Sequence, residues 1–328
     1  MRIEGKHPYY LLLTPHSSLG NMAMPLVSII MNCHNSGKYL REALDSVYQQ
    51  TFKDYEIIFW DNLSTDNSAE IALDYAEPLR YFRGEEFLPL GAARNAAIEK
   101  ASGKYIAFLD CDDIWLPYKL EKQLELLDSK KELGLVYSDC SSIDSNGNLV
   151  GEPCFRSLKP FRGNVFNELL MGNFISMPTA VIRRDVLNKV GVFNPKYEIG
   201  EEYDLWLRIA ERFPIDFTEE PLAKYRTHVG NVSRNQRLSI CESIQIVDYW
   251  LEKKGTIQSL FRKKIKQEQA IRHAQLLLYY CRNHENRKIL SQCLDLIKLL
   301  PNSLVLIPRG SAKLGSVFCK STTKTAQI

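Results

Sequence analysis

The sequence Asp110-Cys111-Asp112-Asp113 puts three carboxylates within four residues, directly after the apolar run Tyr105-Ile106-Ala107-Phe108-Leu109. Like charges this close need an offsetting cation or proton. A hard divalent ion, held by one or two carboxylates and completed by phosphate oxygens and water, is one resolution. The other is that the acids cap the helix expected near Tyr118. Upstream, Arg94 in Gly91-Ala92-Ala93-Arg94-Asn95 falls in the first turn of an expected helix. Backbone N–H groups there already favour anions, so its guanidinium could clamp a diphosphate; a surface salt bridge is the competing reading. Asp61, after another apolar run, could accept the imide N–H of a uracil or thymine ring, and a capping role fits it equally well.

These residues need elements to position them, and the sequence supplies a regular alternation. Leu26 to Met31 reads as a buried strand, Tyr39 to Gln50 as a helix with Leu40, Ala43, Leu44 and Val47 on one face, and Tyr55 to Trp60 as a second strand. A helix over Ala69 to Tyr75, a weaker strand over Leu79 to Phe82, a helix over Ala92 to Ala101 and a strand over Tyr105 to Leu109 follow. Such alternation implies an α/β sheet with a mostly parallel centre and a ligand site beyond the carboxyl ends of its strands. The polar sequences at Asn32, Asp61 and Asp110 all fall on that rim. Further on, strands are expected over Leu135 to Ser138 and Ala180 to Ile182, a hairpin over Asn146-Gly147-Asn148, and a helix from Tyr203 to Phe213.

The chain has 328 residues, 45% hydrophobic and 25% charged, which fits a globular protein with one large domain plus an addition, or two domains. Its formal net charge is +3, too near neutrality to support nucleic-acid binding by the chain as a whole. The eight cysteines are dispersed, without the close pairs of a zinc ribbon or a thioredoxin-like site, and suit reduced thiols in a cytosol. No run approaches the length of a bilayer span. Residues 1–24 are expected to be an unstructured leader or an upstream-start artefact, since Met22 and Met24 stand just before the first strand. The expected organisation is an α/β domain over 25–238, a helical region over 239–307 and a tail over 308–328.

Taken in order, Val27 to Asn35, Glu56 to Asp66, Ala93-Arg94-Asn95, Tyr105 to Trp115, Glu201 to Arg208 and Tyr225-Arg226-Thr227-His228 resemble the motifs of the family 2 glycosyltransferases over roughly Pro25 to Ser233. The resemblance implies a GT-A fold, an α/β Rossmann-like mixed sheet flanked by helices, here with a C-terminal helical appendage. It also implies an enzyme that binds a nucleotide-diphospho-sugar donor and transfers the sugar with inversion. By position, Asn32, His34, Asn35 and Asp61 would hold the nucleoside. Arg94 would face the diphosphate, Asp110 would lie nearer the ribose, and Asp112 would ligate a divalent Mn or Mg ion that neutralises the departing nucleoside diphosphate. The general base is usually the Asp of a Glu-Asp pair; here Glu202 stands at that position, preceded by Glu201. Enrichment of acids at a helix N-terminus is the competing reading of both.

Several positions depart from the family pattern. Asn32 stands where proline is common, His34 where tyrosine is, Asn62 where a second Asp is frequent and Leu63 where glycine is usual, so the base could differ from the uracil expected of a UDP-sugar. His228 could help to bind the diphosphate or the metal, or be a hydrogen-bonded structural group. Trp115 and Trp206 could form an acceptor-side platform or belong to the core. No Gln-x-x-Arg-Trp sequence occurs, so addition of one sugar to a glycan or lipid-linked acceptor in surface-polysaccharide synthesis is expected. The basic stretch from Lys253 to Lys266 could place a cytoplasmic enzyme at the inner face of a membrane, or be an ordinary solvated face. No signal for an oligomeric state is present. A nucleotidyltransferase and an inactive sugar-nucleotide-binding module are the rival readings.

Overall fold

The computed structural model describes residues 24–157, 159–253, 257 and 259–299. The expected leader and tail lie outside the described residues, apart from Met24. Strand β1 (Val27–Cys33), helix α1 (Gly37–Tyr48), β2 (Tyr55–Asp61), α2 (Ser68–Leu73), β3 (Leu79–Arg83), α3 (Leu90–Lys100) and β4 (Tyr105–Phe108) follow the expected alternation. Then come β5 (Ile114–Trp115), α4 (Lys119–Ser129), β6 (Leu135–Ile143), α5 (Cys154–Ser157), α6 (Phe166–Met171), β7 (Val181–Arg183), α7 (Arg184–Val190), α8 (Glu201–Ala210) and β8 (Ile215–Arg226). Helices α9 (Gln236–Lys253), α10 (Ser259–Arg282) and α11 (Asn286–Leu299) complete the described chain.

The eight strands form one sheet in the order β3-β2-β1-β4-β7-β6-β8-β5. The first four are parallel, and β7 turns antiparallel to both β4 and β6. Register places Cys33 beside Asp61, so the polar residues that end β1 and β2 share one edge with the acidic turn after β4. Alternation of side chains across each strand feeds two hydrophobic layers. Ile29, Met31, Ile57 and Phe59 pack with Leu40, Leu44 and Leu120 on one face. Ile30, Ile58, Trp60 and Phe108 pack with Ala93, Leu205 and Trp206 on the other. Burial on both faces is why these strands read as continuous apolar runs. Helix α9 contributes Ile246, Val247 and Trp250 to the second layer, so the C-terminal helices share the main core.

Three strands exceed the sequence reading, the two-residue β5 among them. β8 was not expected, because Asp216, Thr218, Glu219, Glu220 and Pro221 interrupt any apolar pattern. It nevertheless pairs with β6 across a register shift at Asp139, and β6 runs on to Ile143. The expected hairpin reduces to a tight turn: Ile143 bridges Leu149, Gly147 has φ +85°, and the Asp144 carboxylate accepts the N–H groups of Asn146 and Asn148.

At the opposite edge of the sheet, Glu56 accepts hydrogen bonds from Ser28 Oγ and Ser102 N, while Gly103 N donates to Ser28 Oγ at 2.8 Å. A β-carbon on Gly103 would stand 2.6 Å from Ser28 N and 2.7 Å from the Val27 carbonyl carbon, both backbone atoms. Gly103→Ala should therefore destabilise the fold by about 1–3 kcal/mol, as overpacking against atoms that cannot turn aside does. Urea unfolding checks this; equal midpoints would show that the β1 end moves freely.

Candidate active site

The carboxyl edge of the sheet opens into a cleft of about 920 Å³, within the size range of small-molecule sites. β4 ends at Phe108, and a turn closed by Asp113 N donating to the Asp110 carbonyl sends the three acids in different directions. Asp110 accepts from Arg94 Nη2 at 2.6 Å. Asp112 Oδ2 accepts from His228 Nε2 at 2.8 Å and from Asn231 Nδ2 at 3.3 Å. Asp113 is buried and accepts the Arg226 N–H at 2.8 Å through Oδ1, while its Oδ2 has no partner among the described residues. Burial, with Asp112 and Asp110 adding repulsion, pushes the Asp113 carboxyl well above the usual range. Asp113 is therefore a buried acid that satisfies backbone. Asp112 is also raised, by burial and then by Asp110, with His228 opposing.

Arg226 secures this turn. Its guanidinium donates to the Asp112 carbonyl and to Glu42 of α1, and it lies 4.6 Å from the Tyr39 ring centroid. The two residues after it begin the loop that carries His228, whose Nδ1 accepts the Gly230 N–H; the Nε2-protonated tautomer fits both of its bonds. The sequence reading offers Asp112 and His228 to one metal; sequence separation hides Asn231, the other partner of Asp112.

Arg94 does not present a free guanidinium to the cleft, as expected for a diphosphate clamp. Only 3% exposed, it bridges Asp110 and Glu201, the latter in a close ion pair. Burial disfavours its charge, but Asp110 and Glu201 outweigh that and hold its pKa above the ordinary value. Asp61 is likewise corrected from nucleoside contact to scaffold. Fully buried and outside the cleft lining, it accepts from Ser64 N at 2.7 Å, from the Tyr81 hydroxyl at 2.6 Å and from Arg83, so both of its oxygens are engaged within the fold.

The platform reading of Trp115 and Trp206 also fails. They are 2% and 0% exposed, and their indole N–H groups donate to the carbonyls of Pro178 and Ile175 inside the core.

Asn32, His34 and Asn35 do line the cleft. Both polar atoms of the Asn32 amide are buried and find no partner among the described residues, a donor and an acceptor ready for a ligand. His34 donates from Nδ1 to the Asn62 carbonyl at 2.9 Å and meets the Phe87 ring edge-on at 4.9 Å. Asn35, at φ +52°, uses Oδ1 to accept the Thr65 N–H at 2.8 Å and so ties the two rim loops together. Leu63 has φ +63°. Left-handed backbone favours glycine, which accounts for glycine being the usual residue at this position.

Glu201 and Glu202 open α8. Both line the cleft; Glu201 is committed to Arg94, whereas Glu202 accepts from Asn173 Nδ2 at 3.1 Å. Burial, and then the charge of Glu201, pushes the Glu202 carboxyl up to about 8. Sequence reasoning missed Asn173, which lies in a connection marked only by turn residues. Asp112 and His228 are the side chains suited to a divalent cation. Among the described residues no group of three or more His, Cys, Asp or Glu side chains is placed to hold one. The remaining ligands would have to be phosphate oxygens and water, which is how small hard cations bind beside phosphates.

Comparison with known proteins agrees with this architecture. Residues 28–191 match Glycosyl transferase family 2. The chain is 33% identical over 257 residues to an uncharacterized glycosyltransferase, MJ1057, of Methanocaldococcus jannaschii, covering 75% of this chain and 87% of that protein. It is 31% identical over 214 residues to WfgD of Escherichia coli, a UDP-Glc:alpha-D-GlcNAc-diphosphoundecaprenol beta-1,3-glucosyltransferase, covering 64% of this chain and 81% of that one. Among solved structures, the mannosyltransferase PcManGT of Pyrobaculum calidifontis, in complex with GDP-Man and Mn2+, superposes with a TM-score of 0.60 at 16% identity, covering 91% and 80% of the two chains. The mixed eight-stranded sheet with flanking and C-terminal helices matches the GT-A fold. The chain belongs to glycosyl transferase family 2 and is a glycosyltransferase, which removes the nucleotidyltransferase reading.

Arg94→Met would leave the buried Glu201 carboxylate and Asp110 without their shared cation. Loss of one partner from such a pair costs about 3–5 kcal/mol. Chemical denaturation at neutral pH measures it. A loss below about 1 kcal/mol, the scale of an exposed pair, would show that the bridge does not organise the site.

Proposed function

We propose that this glycosyltransferase moves one sugar, with inversion at the anomeric carbon, from a UDP-sugar to a hydroxyl of a glycan or lipid-linked acceptor in surface-polysaccharide synthesis. The observation that carries the reading is Glu202, a cleft-lining carboxylate with a proton affinity lifted by burial and one oxygen held by Asn173. Inversion in one displacement needs a base opposite the leaving group, and a base works best when its pKa lies near the working pH. Glu202 takes the proton of the acceptor hydroxyl as that oxygen attacks the anomeric carbon. Glutamate stands where the family usually has aspartate, and α8 places it in the cleft.

Asn32 offers its amide to the nucleoside, with His34 and Asn35 on the same rim. Asp110, fixed by Arg94, lies on the ribose side. Asp112 and His228 would hold a Mn or Mg ion, which when bound supplies positive charge to the departing nucleoside diphosphate. Support for the donor comes from WfgD, whose name specifies UDP-Glc, and support for the metal from Mn2+ in the PcManGT complex. The diphosphoundecaprenol acceptor in the name of WfgD supports a lipid-linked acceptor. A cytoplasmic enzyme held at the membrane face by Lys263, Lys264 and Lys266, exposed on α10, suits such an acceptor. Among the described residues no helix is long and apolar enough to cross a membrane.

Nucleoside diphosphate release from a panel of UDP-, GDP- and dTDP-sugars, with Mn and with EDTA, tests the reading; no metal-dependent release from any of them would sink it. Asp112→Asn should abolish Mn-dependent donor binding in calorimetry. Glu202→Gln should keep that binding and lower turnover by roughly 10²–10⁴-fold, the usual contribution of a general base. Glu202 acts only when ionised, and its pKa is raised to about 8. Hence kcat/KM should climb as pH rises toward that value and level off above it. A flat profile from pH 6 to 9 would remove Glu202 as the base.

A further inference from the structure

Two features of α8 leave its start dependent on other parts of the chain. Its N-cap is Gly200, which has no side chain to satisfy the exposed N–H groups of the first turn. The segment that leads into it, from Gly191 to Gly200, has no regular structure of its own. The C-terminal helices hold that lead-in segment. Glu242 of α9 is buried, and its carboxylate accepts three consecutive backbone N–H groups: Glu198 at 2.9 Å, Ile199 at 2.9 Å and Gly200 at 2.7 Å. Contact there is tight, since a β-carbon on Gly200 would stand 2.8 Å from Ile246 Cδ1 and 3.3 Å from Glu242 Cβ.

The partner of Glu202 is braced in the same way. Arg272 of α10 donates from Nη2 to the carbonyl of Met171, the last residue of α6, at 2.6 Å, and from Nη1 to Gln269 at 2.7 Å. Two residues beyond Met171, Asn173 accepts the Ile175 N–H at 3.1 Å and donates to Glu202 Oε1 at 3.1 Å. One C-terminal helix therefore holds the backbone that presents Glu202, and the next holds the turn that presents its hydrogen-bond partner.

We infer that Glu242 and Arg272 are positioning residues for the Glu202 carboxylate, so that the C-terminal helices complete the catalytic site. This rests on the reading of Glu202 as the general base. The physical warrant is alignment: a carboxylate that must meet one hydroxyl proton in the transition state loses rate when its backbone shifts, even if nothing that binds donor has moved. Neither residue lines the cleft, so neither reaches the donor. Both lie beyond residues 28–191, where the chain matches the family, and Glu242 sits in a helix with no motif to mark it.

The test uses the full chain with Glu242→Gln, which keeps side-chain volume but loses the charge and one acceptor oxygen, and Arg272→Met. Thermal midpoints, calorimetric binding of UDP with Mn, and hydrolysis of the UDP-sugar that turns over in the panel are measured for each. Turnover should fall about tenfold to a hundredfold, the scale of an ångström of misplacement at a reacting centre, while UDP affinity stays at the wild-type value. In a Glu202→Gln background neither substitution should lower turnover further, because residues acting through one group are not additive. Wild-type turnover in Glu242→Gln and Arg272→Met overturns the inference, as does a full multiplicative loss in the Glu202→Gln background or a loss confined to UDP affinity. Slow Glu202→Gln with normal Glu242→Gln and Arg272→Met would sink this inference alone. Wild-type turnover in Glu202→Gln would sink the base assignment beneath it.

Discussion

A single buried guanidinium ties three distant segments at one point. Arg94 comes from α3, Asp110 from the turn after β4, and Glu201 from the start of α8, separated from Arg94 by 16 and 107 positions. A planar fork can serve two carboxylates at once, which a point charge on a flexible stem does less well. One residue further along α3, Asn95 exchanges hydrogen bonds with both backbone groups of Phe193, both at 2.9 Å. The rest of the cleft depends on this junction. It fixes the acidic turn on one side and the first turn of α8, with Glu202 beside Glu201, on the other.

Around that junction, burial and partners sort acids of the same type into different roles. Asp113 sinks into the core and caps the Arg226 backbone, while Asp112 stays at the cleft with His228 and Asn231. Glu201 joins the bridge, while its neighbour Glu202 keeps a raised proton affinity in the cleft. The net charge of +3 thus averages over a site whose lining holds more carboxylates than cations. An incoming diphosphate would meet that arrangement and not an open cationic patch.

How much was legible in the sequence follows from how each residue is used. β1, β2 and β4 were legible because both of their faces are buried and their ends are marked by turn residues. β8 was not, because its charged and proline positions lie in a strand whose place is set by pairing with β6 on one side and β5 on the other. Asp112, Glu202, His34 and Asn35 line the cleft. Asp61, Trp115 and Trp206 had the right types for ligand contact, but hydrogen bonds within the fold and core packing claim them. Asn173, Asn231 and Glu242 had no signal at all, since an amide or a carboxylate in a turn or helix says nothing about what will pack against it.

The sequence by itself determined the alternation of strands and helices, the rim on which the polar strand ends would gather, and the identity of the acids available there. These follow from periodicity and turn chemistry, which act over a few residues. Tertiary structure alone decided which acid faces the cleft, that Arg94 bridges two carboxylates, that His228 meets Asp112, and that α9 and α10 reach the start of α8 and its neighbouring turn. Each of those rests on contacts between residues from 16 to more than a hundred positions apart, and its energy depends on burial and a partner that exist only once the chain has folded.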